Sequence, residues 1–183
     1  MLLRDWQFSA NYNLESVVDC SAQFDFIDGG GCEFAALAFA EIDARGVVNV
    51  SKFGNYAPGA GGFIDIAHNA RALVFIGSFT GGGPRMRAGN GQCVIEQEGK
   101  FKKFVKQAQH VTYDVLKGVR ERGQHALMVT ERAVLSMEKE GLAVVEIAPG
   151  IDLKRDVLDQ MEFTPARIAE PLPLMDSALF QNR

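Results

Sequence analysis

The chain has 183 residues, of which 47% are hydrophobic and 23% charged, and its formal net charge is −4. These values are typical of a soluble globular protein and exclude a disordered chain, a collagen-like repeat and a disulfide-stapled miniprotein. The mild acidity also argues against nucleic acid or an anionic membrane as the main partner, since both call for a clustered basic surface. We expect one domain, residues 1–183, large enough to bury a hydrophobic core.

The cysteines and histidines are too scattered to predict a disulfide framework or a metal site. They are Cys20, Cys32 and Cys93 together with His68, His110 and His125. Residues 1–6 do not resemble a signal peptide, and no apolar run approaches the roughly 20 residues needed to span a bilayer. We therefore expect a cytoplasmic protein without a bound metal.

The first half predicts strands on either side of a short helix. Residues 34–40 are apolar without interruption, and the turn at 43–46 favours a strand over a short buried helix. Residues 47–50 would extend or pair with that strand, and the run 73–76 predicts a fully buried strand. Between them, one face of a helix is formed by apolar residues at helical spacing, which are Phe63, Ile66, Ala67 and Ala70. This order is typical of an α/β layered domain.

The middle of the chain predicts antiparallel pairing. Asn90-Gly91 is a strong hairpin signal because a type I′ turn needs positive φ at both central residues. We expect residues 85–113 to form an antiparallel meander, followed at 114–123 by a helical turn or irregular chain. Residues 126–129 predict another buried strand. The fold class expected is therefore α/β, with an open mixed sheet, helices and an antiparallel meander.

Turn residues divide the last third of the chain. Residues 138–141 separate two apolar runs, 133–137 and 142–147, which predicts a second hairpin. Asp152 can cap a helix whose apolar face is formed by Leu153, Val157 and Met161, with Leu158 beside them. Three prolines then predict an extended surface tail over residues 164–183, and they are Pro165, Pro171 and Pro173.

The glycine turn at 59–62 is the best local candidate for a binding site. Gly59, Gly61 and Gly62 precede the predicted helix, and glycines let backbone N–H groups approach a phosphate or a developing oxyanion closely. The pattern alone favours a plain strand-to-helix turn. A dinucleotide fingerprint would need glycine at Ile64, and no Walker A motif is present.

Three further segments have both a binding and a plain interpretation. The glycine-rich loop 81–87, with Arg85 and Arg87, could receive an anion, but the pattern favours a solvated loop. Gly29-Gly30-Gly31 is either a wide turn or a close approach to a ligand. The segment 100–106 could face a diphosphate or nucleotide, whereas an edge strand guarded by lysines is the favoured interpretation. Its lysines are Lys100, Lys102, Lys103 and Lys106, with Phe101 and Phe104 between them.

No nucleophile and base can be assembled from the sequence pattern. Ser78 does not lie in a G-x-S-x-G motif, and no cysteine has a histidine nearby. Glu33, Glu41 and Glu131 are expected to be surface or turn residues. The pattern therefore predicts an α/β domain with a candidate anion-binding turn.

Six segments in order nevertheless resemble the C-terminal, β-type half of the family I CoA-transferases, in particular the short-chain acyl-CoA branch. They are residues 23–31, 46–54, 61–66, 101–107, 130–134 and 146–152. The resemblance implies transfer of CoA between a short-chain acyl-CoA and acetate or a similar acid through a glutamyl-CoA thioester. It further implies that Gly62 donates its N–H to the oxyanion, with Gly59 and Gly61 shaping the turn, and that CoA is a substrate without a permanently bound cofactor.

The glutamate motif of that family, Glu-Asn-Gly or Glu-Ser-Gly, is absent from these residues, and Glu15 lies downstream of its place. The resemblance thus implies that no catalytic residue lies in this chain, that its partner is the α-type half of the same enzyme, and that the whole is a homo-oligomer. We expect the chain alone to be inactive. The alternatives are a non-catalytic acyl-CoA-binding or oligomerisation module and, less supported, a general nucleotide-binding domain.

Overall fold

The computed structural model describes residues 13–181, which contain three α-helices and fourteen strands. The helices are α1 (Cys20–Phe26), α2 (Phe63–Asn69) and α3 (Val115–Arg122). The first seven strands are β1 (Phe34–Ala38), β2 (Glu41–Asp43), β3 (Val47–Asn49), β4 (Ala72–Ile76), β5 (Thr80–Gly81), β6 (Arg85–Gly89) and β7 (Gln92–Gln97). The other seven are β8 (Phe101–Lys102), β9 (Phe104–Val105), β10 (Tyr113–Asp114), β11 (His125–Val129), β12 (Ala133–Glu138), β13 (Gly141–Ile147) and β14 (Arg167–Ile168).

The main sheet has six strands in the order β1-β4-β11-β12-β13-β14. Strands β1, β4 and β11 run parallel to one another, β11, β12 and β13 form an antiparallel meander, and β14 is parallel to β13. A smaller sheet has the order β10-β3-β2-β9, and β5-β8 and β6-β7 form separate pairs. The predicted α/β class with an open mixed sheet is confirmed, and the structure contains an antiparallel meander, although it lies at β11–β13.

The first half follows the predicted order of elements, with two corrections. Strand β1 pairs with β4, whereas β3 turns back onto β2 through the Asp43–Gly46 turn and contributes to the other sheet. Helix α2 buries Phe63 and Ala67 as its spacing predicts. The run 73–76 is not fully buried, because Leu73 and Phe75 face the core while Ile76, on the opposite face, is 52% exposed.

The predicted meander over 85–113 is wrong beyond its first hairpin. Asn90 and Gly91 have φ angles of 54° and 75°, so the β6–β7 turn has the predicted geometry. The following strands then pair with distant partners instead: β8 with β5, β9 with β2, and β10 with β3. Local turn chemistry specifies a hairpin but cannot choose among distant partner strands.

The second half agrees more closely with the predictions. Residues 115–122 form α3, whose first turn is capped by the Asp114 side chain and which ends at Gly123 in a left-handed conformation. The hairpin β12–β13 forms as predicted. Asp152 caps a helical segment through the N–H of Arg155, but this segment is a π-helical turn followed by a 3₁₀ turn and reaches only Gln160.

The tail adds β14 to the edge of the sheet, and Met175 and Phe180 are buried. None of the helices in the described part of the chain combines the length and apolar character needed to cross a bilayer.

One face of the main sheet carries the core and the other is open. Alternate residues of β1, β4 and β11, such as Ala35, Phe75 and Met128, are buried against the helices and the smaller sheet. The residues between them face away and are half-buried or exposed. The register places these side chains on one continuous surface, the open face, formed by Phe34, Ala36, Ala38, Val74, Ile76, Leu127, Val129 and Val134.

Candidate functional site

The parallel strands β1, β4 and β11 end at the same edge of the main sheet, because their register is aligned. Phe39 follows β1, Gly77 follows β4 and Glu131 lies just beyond β11. The carboxyl edge of an open α/β sheet is where such folds bind ligands. We therefore built the candidate site from the residues at this edge.

The glycine turn lies at the start of α2. The end of α2 lies beside the amino ends of β4 and β11, so the start of the helix points toward the carboxyl edge of the sheet. Gln124, just before β11, donates to the carbonyl oxygens of Ala67 and Ala70 at the end of the helix. Gly59 and Gly61 have φ angles of 87° and 53°, which favour glycine.

The N–H groups of Gly61 and Gly62 are available to a ligand. Both residues are at least partly exposed, and neither N–H donates to an acceptor within residues 13–181. A Cβ on Gly62 would lie 2.5 Å from the Phe24 ring, so a larger residue here would displace α1 side chains. The three glycines thus form the predicted turn, and the N–H groups of Gly61 and Gly62 remain accessible.

A cavity of about 800 Å³ lies at the same edge, but the three glycines do not line it. Its walls are partly aromatic, and its rim carries lysines. The lining includes Phe39, Phe53, Phe101, Lys102 and Lys103. The edge-strand interpretation of 100–106 holds for β8, which is exposed at the edge of a two-stranded sheet, but it is wrong for Lys103, which is only 8% exposed.

Lys103 is held at the cavity wall by the packing of its neighbours. Its carbonyl oxygen accepts a hydrogen bond from the Ile42 N–H at 2.8 Å, and Phe104 next to it is fully buried against Phe39 and Phe79. Its Nζ lies 3.8 Å from the centre of the Phe39 ring. Burial lowers the pKa of Lys103 to about 8, and the negative charge of Glu131 opposes that shift.

A buried ion-pair network around Arg132 connects the segments at the same edge of the sheet. The fully buried Arg132 donates from Nε to Glu131 at 2.7 Å and from Nη1 to Glu98 at 2.5 Å. Although burial alone lowers the pKa of Arg132, the hydrogen bonds and charges of Glu98 and Glu131 raise it overall. The second Glu131 oxygen accepts from the Phe79 N–H, so this network ties the end of β11 to the segment after β4.

Two of the three glutamates expected at the surface are in fact engaged. Glu41 is 8% exposed and accepts hydrogen bonds from Asn49 and Gln109, and Glu131 pairs with Arg132. Local sequence could not predict these hydrogen bonds and ion pairs. Gln109 is distant from Glu41 in the chain, and Arg132 beside Glu131 becomes buried only in the folded protein. The charged pair Glu131-Arg132 after a buried strand was the available signal.

The other two candidate segments, residues 81–87 and 29–31, form no binding site with the rest of the described chain. Arg87 pairs with Glu96 in the β6–β7 hairpin, and Arg85 is exposed. Gly29, Gly30 and Gly31 close a π-helical turn after α1, which is exposed and tied to α2 by the Asp28–Asn69 hydrogen bond.

The three cysteines are free, and the described residues contain no group of His, Cys, Asp and Glu side chains suited to a metal.

Comparison with known proteins points in one direction, although no protein-family model matches the sequence. The chain is 43% identical over 173 residues to the acetate CoA-transferase YdiF of Escherichia coli K12, covering 94% of this chain and 32% of that enzyme. It is 42% identical over 181 residues to the caffeate CoA-transferase of Acetobacterium woodii, covering 96% of this chain and 34% of that enzyme. The chain thus spans about a third of the length of the curated relatives it matches.

Solved structures agree with the sequence comparison. The acyl-CoA transferase YdiF of Escherichia coli O157:H7, in a thioester complex with CoA, matches with a TM-score of 0.90 and 42% identity over 96% of this chain and 34% of that one. The decarboxylase AibA/AibB matches at 15% identity with a TM-score of 0.63, over 88% of this chain and 58% of that one, and shares the fold alone. Over nearly its whole length, this chain is therefore similar in sequence and fold to part of a CoA-transferase, as its motifs predicted.

Proposed function

We propose that this chain forms part of an acyl-CoA:carboxylate CoA-transferase, which moves CoA between a short-chain acyl-CoA and acetate or a similar acid. The observation that carries the proposal is the 42–43% identity to curated CoA-transferases over at least 94% of the chain. CoA would be a substrate, no cofactor would be permanently bound, and the enzyme would work in the cytoplasm as a homo-oligomer. Residues 1–183 would act as one domain within it.

In the proposed reaction, a glutamate carboxylate attacks the thioester carbonyl and displaces CoA thiolate. The thiolate then attacks the glutamyl carbonyl of the resulting anhydride, which releases the donor carboxylate and forms a glutamyl-CoA thioester. The acceptor carboxylate reverses these steps. The glutamate would come from a segment outside these 183 residues, so the chain contributes the surrounding donors. The N–H of Gly62 would stabilise the oxyanion, with Gly59 and Gly61 holding the turn, and the unengaged N–H groups support this assignment.

The open face supports a partner within the same enzyme. Parallel strands are almost always covered on both faces, and here Phe34, Ile76 and Leu127 are 60%, 52% and 37% exposed. The relatives contain about twice as much additional chain as the part matched here. We infer that another portion of the transferase, including the α-type half, packs on the open face.

The test joins this chain to the remaining two-thirds of the Escherichia coli enzyme and measures exchange of CoA between acetyl-CoA and labelled propionate. We expect exchange by the chimera and none by the 183-residue chain alone. A folded chimera without exchange would contradict the proposal. If the chimera showed no exchange but the chain bound CoA, the chain would instead be a non-catalytic acyl-CoA-binding module.

The role of the glycine turn is tested within the chimera by comparing Gly62→Pro with Gly62→Ala. Both variants crowd Phe24, and the φ of −81° at Gly62 is near that of proline, but only proline removes the N–H. Loss of an oxyanion donor lowers kcat by about 100-fold or more. Equal kcat values for the two variants would show that the Gly62 N–H is not the donor.

A further inference from the structure

The cavity wall carries an ammonium group, Lys103 Nζ, that has no ion-pair or hydrogen-bond partner among residues 13–181, and Glu131 is the carboxylate whose charge acts on it. Lys103 Nζ lies against the Phe39 ring, and its environment includes no hydrogen-bond acceptor among the described residues. A Cβ on Gly77 would lie 2.8 Å from Nζ, so the glycine leaves the space that the ammonium occupies. A partly desolvated cation of this kind is stabilised by an anion that reaches it.

Each carboxylate near Lys103 has hydrogen-bond partners of its own, and among the described residues only Glu131 is paired with a cation. Glu131 is bound by Arg132, Glu41 accepts hydrogen bonds from Asn49 and Gln109, and Glu162 accepts from the Lys106 N–H. Lys102 donates to the carbonyl oxygen of Asp159 at 2.8 Å. The remaining charged residue at the wall, Lys100, is exposed.

The walls around this ammonium favour an anion with an apolar body. Phe39, Phe53 and Phe101 line the cavity, and Val105 adds an aliphatic side chain. The cavity is lined by three lysines and two glutamates, a net of one positive charge, which matches one negative charge, whereas a phosphate carries more charge and prefers several donors.

We propose that Lys103 binds the carboxylate of an organic monocarboxylate whose apolar tail contacts the aromatic walls of this cavity. The identification of that acid as the acceptor of the transferase rests on the proposed function. Lys103 would then be a specificity-determining residue that selects a carboxylate from neutral molecules of the same shape.

Binding should depend on pH in a definite direction. The carboxylate needs the protonated ammonium, and a bound carboxylate raises the pKa of Lys103 above its unliganded value of about 8. Affinity should therefore fall as the pH rises past about 8. The other charged groups that face Lys103 are Glu131, Glu41 and Glu162, and Lys100 and Lys102 lie at the rim.

The experiment uses the 183-residue chain and 3-phenylpropionate as the probe, with 3-phenylpropan-1-ol as the neutral analogue and inorganic phosphate as the other anion. Isothermal titration should show binding of the carboxylate alone. Lys103→Met should lose about tenfold or more in affinity, Lys103→Arg should retain most of it, and Lys106→Met, which changes an exposed lysine outside the cavity, should have no effect. Circular dichroism establishes that each variant is folded.

Trace labelling of lysines with acetic anhydride, read by peptide mass spectrometry, gives a second readout. Labelling of Lys103 at about pH 8 should fall several-fold when 3-phenylpropionate is bound, while labelling of Lys106 stays constant. Equal binding of the alcohol, stronger binding of phosphate, or unchanged affinity of Lys103→Met would overturn the proposal. Failure of the chimera to exchange CoA would overturn the proposed function and leave this binding result standing.

Discussion

Two buried cations illustrate how single residues determine the properties of this protein. Arg132 and Lys103 are both almost inaccessible to solvent, but Arg132 has two carboxylate partners and Lys103 has none. The guanidinium suits a fixed structural network because its charge is permanent and its donors are directional. The lysine ammonium can lose its proton, which leaves it responsive to pH and to a ligand.

Replacing Arg132 should destabilise the fold strongly. Arg132→Met leaves the carboxylates of Glu98 and Glu131 without their counter-charge, and partial exposure of Glu98 limits the cost to about 2–4 kcal/mol. Urea unfolding measures the difference. Arg87→Met removes an exposed pair with Glu96 and should cost less than about 1 kcal/mol. Similar losses in the two variants would show that the buried network contributes little.

Asp43 should govern part of the acid stability. Burial raises the pKa of its carboxyl, but hydrogen bonds from Arg45 and from the N–H groups of Ala108 and Val47 outweigh burial and lower it. A lowered folded-state pKa stabilises the protein above the ordinary aspartate value of about 3.9, and this stabilisation is lost as the pH falls below that value.

Asp43→Asn should therefore lower stability at neutral pH and flatten its decline in acid. Melting temperatures between about pH 7 and pH 2 provide the measurement. Asp65→Asn, at an exposed position of α2, should leave the profile unchanged. An acid decline as steep in Asp43→Asn as in the parent would contradict this assignment.

At the scale of elements, short helices depend on their ends. Helix α3 has only eight residues, which is too short to be stable by itself, and it is fixed by the Asp114 cap, by Gly123 and by burial of Val115 and Val119. The cap oxygen accepts from the Lys117 N–H at 2.8 Å. The helix therefore combines a locally encoded beginning and end with a face that only the folded core stabilises.

Loss of the Asp114 cap should cost about 1 kcal/mol. Asp114→Ala removes the acceptor for the Lys117 N–H, whereas Asp114→Asn keeps an acceptor oxygen and should retain most of the stability. Chemical denaturation of the three proteins measures the effect. If alanine and asparagine were equally destabilising, the contribution would come from the charge of Asp114 and not from the cap.

For the molecule as a whole, the open face is the main departure from a self-contained α/β domain. The covered face contains residues such as Leu73 and Met128 that are almost fully buried, while Ile76 and Leu127 remain accessible on the other side. An apolar surface of this kind promotes association until a partner covers it.

Polar substitution of the open face should reduce self-association without unfolding the chain. Ile76→Gln with Leu127→Gln should change the free energy of unfolding by less than about 1 kcal/mol, because both side chains are already accessible. Light scattering should show a smaller mean mass than for the parent. Leu179→Gln, at a residue that is 71% exposed elsewhere, is the matched control. A large loss of stability in the double variant would mean that this face is already covered in the chain.

The sequence by itself determined the features that depend on neighbouring residues. The Asn90-Gly91 turn, the buried side of α2 and the β12–β13 hairpin follow from local φ preferences and apolar spacing, and the ordered motifs predicted the CoA-transferase resemblance. The glycine turn was also found locally, since positive φ at Gly59 and Gly61 requires that residue type.

Only the tertiary structure decided which distant segments meet. The pairing of β9 with β2 buries Lys103, and the meeting of β11 with the segment after β7 joins Arg132 to Glu98. Which face of β4 is covered also depends on what packs there, not on the apolar run itself. Burial and charge pairing arise from contacts between residues far apart in the chain, and hydrophobic periodicity within one segment carries no information about those contacts.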